Sequence, residues 1–185
     1  MLWSMADRVD QLLGVTALAA VDRLRAGVAA DAGLGEAEAG ALVHLQAWSG
    51  GSVGDLAGVV GRSQPAAVRL VDRLVEQGLL RREAGGDRRT VAFVLTDAGS
   101  RAADAVLAAR AVALAPLLAD LCPRDRATLE RLLGCVAAGL ADDRPGAVHA
   151  CRLCDRDACA SGPGCPLEHT TEPGGPRPSR SPTRP

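Results

Sequence analysis

The sequence predicts a mainly α-helical chain carrying one small β-hairpin, on three observations. First, Ser63–Gln77, SQPAAVRLVDRLVEQ, has the signature of a single helix. Ser63 stands at the N-cap position, where a hydroxyl can accept a first-turn N–H. Pro65 falls in the first turn, where its missing N–H costs nothing. Val68, Leu70, Val71, Leu74 and Val75 recur at helical spacing, and Gly78 follows as a stop. Second, Ser52–Val60 carries an apolar face of Leu56, Val59 and Val60 and is joined to Ser63 by Gly61 and Arg62. Two short helices linked by a glycine turn form a helix-turn-helix. Third, Leu79–Arg82 and Thr90–Leu95 have strand character and flank the turn EAGGDRR, Glu83–Arg89. A hairpin directly after the second helix is a wing, so the expected unit is a winged helix-turn-helix.

The polar side of the second helix carries Ser63, Gln64, Ala66, Arg69 and Arg73, with Pro65 at its start. Small residues allow close approach to a duplex, Gln can pair with a base edge, and Arg can reach bases or phosphates. An amphipathic surface helix would show the same stripe; the flanking helix and the wing favour the DNA-reading alternative.

LAGVVGRSQPAAVRLVDRLVEQGLL (Leu56–Leu80), the wing GGDRR (Gly85–Arg89) and VLTDAG (Val94–Gly99) together resemble the MarR family, multiple antibiotic resistance regulators. The resemblance covers roughly residues 6–142. It implies a homodimeric regulator of transcription that binds double-stranded DNA. Asp87 and Arg89 match the family's D-x-R, in which the arginine reaches the minor groove and the aspartate braces the wing; Arg88 is a second candidate for that contact.

Composition sets bounds on this reading. The chain has 185 residues, enough for one good core and a modest extra module. All 21 basic residues are Arg, and the net charge is −1. A uniformly basic nucleic-acid binder is therefore excluded. Charge is local instead: Arg62, Arg69, Arg73, Arg81, Arg82, Arg88 and Arg89 stand against Asp72, Glu76, Glu83 and Asp87, a local excess of positive charge. No apolar run reaches the ~18 residues of a membrane span, and Met1–Arg8 is too short and polar for a signal peptide. A cytoplasmic protein with no membrane partner is expected, with its cysteines kept reduced.

Around the winged unit, residues 6–29 form a long first helix with Val9, Leu12, Leu13, Leu18, Val21, Leu24 and Val28 as an apolar stripe. Leu2 and Trp3, ahead of it, are candidates for packing on a partner. Glu36–Trp48 is a second helix with Leu42, Val43 and Leu45 inside. Thr96 caps a helix running to about Leu121, with Pro116 as a possible kink. A last helix, Pro123 to about Leu140, sets Leu129, Leu132, Leu133, Val136 and Leu140 at core spacing. Pairing the stripes of the first and last helices with a second copy buries them, which predicts a twofold dimer. The expected organisation is a dimerisation helix at 1–35, the winged unit at 36–98, further dimerisation helices at 99–145, a cysteine module at 146–169 and a disordered Pro/Arg-rich tail at 170–185.

The cysteine module reads CRLCDRDACASGPGC, a C-x2-C-x4-C-x5-C spacing of Cys151, Cys154, Cys159 and Cys165. Four thiolates so close together can close around one ion, and Gly162, Pro163 and Gly164 let the chain return. With only Leu153 and Leu167 as apolar residues, such a peptide would draw its folding free energy from metal. Zinc is the expected cofactor. An iron–sulfur cluster and a metal-free thiol switch are the alternatives, the Cys165-Pro166 pair resembling the end of some iron–sulfur ligand runs. His149 and His169 are expected to be solvated, and Cys122 and Cys135 to be buried small hydrophobes.

His44 and Trp48 lie four apart on the second helix. They are candidates for a small-molecule effector pocket, the alternative being a core-edge histidine beside a packing tryptophan. No H-E-x-x-H, G-x-S-x-G or phosphate-binding glycine loop is present, so no catalytic seat is expected. The sequence reading is thus a DNA-binding repressor with a metal module that senses redox state or metal. Two alternatives stand beside it: a repressor responding to an aromatic ligand with purely structural zinc, and a metal- or electron-handling protein whose winged unit contacts proteins.

Overall fold

The computed structural model describes residues 7–85, 91–161 and 163–168. Its order is α1 (Arg8–Ala32), α2 (Glu36–Ala47), α3 (Val53–Val60), α4 (Gln64–Glu76), β1 (Leu80–Ala84), β2 (Val91–Leu95), α5 (Asp97–Leu114), a 3-10 turn (Ala115–Leu118), α6 (Pro123–Ala137), α7 (Arg144–Ala150) and α8 (Arg156–Ala160). The expected mainly α class with a small wing is what the chain adopts.

Local chemistry sets most boundaries. Ser52 and Asp55 form a reciprocal capping box at α3: Asp55 N donates to Ser52 Oγ at 3.2 Å and Ser52 N to Asp55 Oδ2 at 2.9 Å. Thr96 Oγ1 accepts Gly99 N at 3.0 Å and starts α5. The same hydroxyl donates to Gly78 O at 2.7 Å, which ties the end of the hairpin to the end of α4. Gly99 is required there by packing: a Cβ at this position would stand 2.0 Å from Leu79 O.

The core is one contiguous cluster. Leu42 and Leu45 of α2, Leu56 and Val59 of α3, Val71 and Leu74 of α4 and Leu80 of β1 meet Val28 of α1 and Val106 of α5. β1 and β2 pair antiparallel from Leu80↔Leu95 to Ala84↔Val91. Gly51 adds a single bridge to Phe93, whose N–H donates to Gly51 O at 2.9 Å, so the loop after α2 is stitched to the wing.

Several expectations are corrected. Ser63 occupies the N-cap of α4 with extended backbone, but its side chain makes no cap hydrogen bond. Val68 does not join the apolar stripe; it is 41% exposed, and Ala67 is buried in its place, because the helix turns its inward face one residue earlier than the valines suggest. β1 extends to Ala84, two residues past the expected end. α5 stops at Leu114, and Pro116 sits in the 3-10 turn, since proline has no N–H with which to continue the α-helical ladder. Cys122 and Cys135 are exposed, not buried, because α6 lies off the core and buries no residue of its own. Leu132, Leu133, Val136 and Leu140, the stripe expected to pair with a second copy, are exposed in the single chain.

The cysteine module also differs from a coreless peptide. Leu167 is buried against Ala141 and Ala147, with Cys151 and Cys165 packed beside them, and Leu153 packs on the main core. Leu2, Trp3, Asp87, Arg88, Arg89, His169 and the expected tail at 170–185 lie outside the described residues. No single helix among the described residues is long and apolar enough to cross a membrane.

Candidate nucleic-acid interface and cysteine module

The first residues of α4 face solvent. Arg62, Ser63, Gln64, Pro65 and Arg69 are exposed and Ala66 is half-buried, while Ala67, Leu70, Val71 and Leu74 hold the opposite side in the core. This is the division a groove-reading helix needs: an anchored back and an open, polar front. Arg69 has no ion-pair partner among the described residues. Arg73 does: its Nη2 lies 3.4 Å from Glu38 Oε1 of α2, so it is shared between the α2 carboxylate and solvent. The exposed Val68 is an apolar member of this face that the spacing of the valines concealed.

Beside α4 a concave surface of about 530 Å³ runs from Ser52 and Val53 at the start of α3, past Gln64 and Val68, to Arg82, Val91 and Phe93 of the wing. Arg82 Nη2 meets Asp72 Oδ1 at 2.5 Å, which fastens the wing strand to α4. Arg81 pairs with Glu83 along the same strand. These pairs are half-exposed and contribute little to stability; they fix where the arginines sit.

His44 and Trp48 stack at 4.9 Å between ring centroids. Burial lowers the His44 pKa, with Arg144 pushing the same way and Asp55 against it, so the ring is neutral at ordinary pH. Both side chains line a cleft of about 410 Å³, whose other walls are residues 49–51, α3 and Arg144, Pro145 and Val148 of α7. No residue of α1 or α5 lines it, so it is a cleft between the winged unit and the C-terminal segment rather than between the winged unit and the long helices.

That C-terminal segment is docked on α2 and α3. Arg152 donates to Glu36 Oε1 from Nη2 at 2.5 Å and Nε at 3.1 Å, and from Nη1 to His149 O at 2.7 Å. The Arg152 hydrogen bond is the main reason the Glu36 carboxyl is held below its usual range, with Arg25 adding to it. His149, expected to be solvated, is half-buried with Nδ1 2.8 Å from Val59 O. Its ring lies against Gly61, the turn between α3 and α4. There φ is +61°, and a Cβ would stand 2.7 Å from the imidazole, so backbone and contact both call for glycine. The Arg156 guanidinium covers the Trp48 ring at 4.5 Å.

The four cysteines of the module share one neighbourhood. Burial raises every one of the thiol pKa values, that of Cys151 to about 11. Each thiol also feels the others: Cys151 is resisted by Cys165 and Cys159, Cys154 by Cys151 and Cys165, and Cys159 interacts with both Cys154 and Cys165. Four soft donors that oppose one another's ionisation are a donor set suited to a thiophilic cation, which would remove that repulsion. Among the described residues, no three such side chains are drawn together as a finished coordination shell requires. The thiols are neighbours whose final convergence an ion would have to supply.

A helix-turn-helix with an open second helix, followed directly by a two-stranded wing, defines a winged helix-turn-helix unit. The sequence model of the MarR family matches residues 32–90, from the end of α1 into the wing. The match and the fold together support a DNA-binding regulator of transcription. Solved structures agree in fold. A probable transcriptional regulator from Pseudomonas aeruginosa is 28% identical, with a TM-score of 0.53 over 70% of this chain and 99% of that one. RV1404 from Mycobacterium tuberculosis is 25% identical, with a TM-score of 0.59 over 72% of this chain and 94% of that one. Mycobacterium tuberculosis RV2887, solved in complex with salicylic acid, is 24% identical, with a TM-score of 0.57 over 73% of this chain and 99% of that one. The sequence has no match among curated proteins.

Proposed function

We propose that this protein is a repressor that binds a pseudo-palindromic operator as a homodimer. Gln64 and Arg69 would read base edges, Ser63, Pro65 and Ala66 would allow close approach, and Arg73 would contribute to backbone contact. By the family resemblance, Arg89 of the wing, with Arg88 as second candidate, would reach the flanking minor groove while Asp87 braces the wing. The observation that carries this reading is the exposed, cationic front of α4 on a fully anchored back. A dimer is supported by the exposed apolar residues of α1 and α6, among them Leu12, Leu13, Leu18, Leu132 and Leu133. In the same reading Cys151, Cys154, Cys159 and Cys165 bind a metal, zinc by donor chemistry, with an iron–sulfur cluster as the alternative. The test is selection of duplexes from a random-sequence pool by the full-length chain. An enriched inverted repeat with half-sites about one duplex turn apart supports the proposal, and no enrichment overturns it.

A second reading adds a small-molecule inducer at the His44–Trp48 cleft. The cleft's mixed walls, a stacked ring pair with Arg144 opposite, favour a flat ligand bearing a polar group. RV2887 is described with salicylic acid, which makes salicylate the first probe to try.

A further inference from the structure

We propose that the C-terminal cysteine segment is a metal-controlled clamp on the DNA-reading unit. With a zinc-class ion on Cys151, Cys154, Cys159 and Cys165, the clamp is closed and the operator-binding form is favoured. The proposal rests on the metal reading above and adds what the metal does.

Three fastenings carry it, and all come from residues interleaved with the four cysteines or just ahead of them. Arg152, between Cys151 and Cys154, holds Glu36 at the first turn of α2. Arg156, between Cys154 and Cys159, covers Trp48 just past the other end of α2. His149, two residues before Cys151, holds the Val59 carbonyl at the end of α3 and lies against Gly61 in the turn leading to α4. The segment thus grips both ends of α2 and the turn that aims the reading helix. Arg152 and Arg156 stand on the backbone that links the cysteines, so holding that backbone would hold their directions. Closing that loop around an ion would do this: each thiol gives its proton to buffer as its sulfur ligates the cation, and four ligated sulfurs fix the positions of both arginines.

The sign of the coupling follows from placement. With the segment docked, Gln64 and Arg69 remain exposed, so the closed clamp does not cover the reading face. It braces the platform behind that face. Release would cost ordering of α2 and α3 that DNA binding must then supply, so the metal-free chain should bind its operator more weakly.

The experiment uses the full-length chain, reduced and anaerobic, stripped of metal by chelator and then given zinc(II) alone. Metal analysis, hydrogen–deuterium exchange and anisotropy on the selected duplex are read together. Expected are one zinc per chain, slower exchange across α2, α3 and α7 on loading, and operator affinity higher by about fivefold or more. The double variant Arg152→Gln with Arg156→Gln should keep one zinc per chain while its zinc response falls below about twofold. Trp48→Ala gives a second cut of the same clamp should the double variant misfold. Zinc bound with no change in exchange at α2 and α3 overturns the clamp, as does a full zinc response in the cut variants. Absence of zinc binding, or a visible iron–sulfur chromophore in its place, overturns the zinc assignment. If no duplex is ever selected, the repressor reading fails, and the exchange data alone still decide the clamp.

Discussion

Gly99 and His44 show how single residues constrain this molecule. A methyl group at residue 99 would stand 2.0 Å from the Leu79 carbonyl oxygen, and backbone cannot yield as a flexible side chain can. Gly99→Ala should therefore cost about 1–3 kcal/mol, read as a lower urea or thermal midpoint, by forcing α5 off the hairpin. An unchanged midpoint would show that the α5–hairpin junction is loose. The sequence contained this glycine as part of VLTDAG, but the reason for it lies in a chain segment twenty residues earlier and is visible only in the fold. His44 makes a different prediction. Burial lowers its pKa from the ordinary 6.5, so the native state resists a proton that the unfolded chain accepts. Stability is unaffected by this group well above pH 6.5. It should fall as pH drops below that value, by at most about 1.4 kcal/mol per pH unit, until the folded-state pKa is passed. His44→Gln should flatten that part of the stability–pH curve at constant metal loading. An identical slope in wild type and variant would mean that the ring titrates normally.

At the scale of elements, α4 and the wing divide the proposed work, and the structure separates two arginines that the sequence treats alike. Arg69 is exposed with no ion-pair partner among the described residues; Arg73 is drawn to Glu38. Arg69→Ala should weaken specific operator binding by about 1–3 kcal/mol and relax the preference at one base position. Arg73→Ala should weaken binding more evenly across sequences, with a shallower salt dependence. Equal, sequence-independent losses in both would reassign Arg69 to phosphate. Most elements were legible because their determinants are local: Ser52 and Asp55 box α3, Thr96 caps α5, and glycines follow α3 and α4. What failed was everything set by a distant partner. Apolar spacing assigned the α6 stripe to a second copy, but it did not show that Cys122 and Cys135 would be exposed with it. The valines of α4 marked its apolar arc, but not which edge of it meets solvent. His149 reads from sequence as solvated, and nothing local singles out Arg152 or Arg156, because their partners Val59, Glu36 and Trp48 lie about a hundred residues away.

For the whole molecule, the unpaired faces set the strongest expectation. The chain α5–3-10 turn bends by 117° into α6, which carries Leu132, Leu133 and Val136 away from the winged core. The first half of α1 exposes Val9, Leu12, Leu13, Val15 and Leu18, the last at 70%. Among the described residues nothing covers these two stripes, and exposed apolar area on this scale marks an association surface. Joining the stripes of two copies about a twofold axis would bury both sets at once and leave both α4 fronts open. It would also pair two weak half-site contacts into one tight, spacing-dependent grip. A charge on the stripe should then dissociate the dimer without unfolding the winged unit, whose core draws on neither the first half of α1 nor α6. Leu132→Arg and Leu18→Glu, made separately, are each expected to shift the sedimentation mass from two chains toward one. Their helical circular dichroism should stay close to wild type. Operator affinity should fall by more than the loss of any one base contact costs, because a single half-site remains engaged. Both variants sedimenting as intact dimers would place the interface elsewhere. Monomers that kept full operator affinity would overturn the twofold reading of the operator itself.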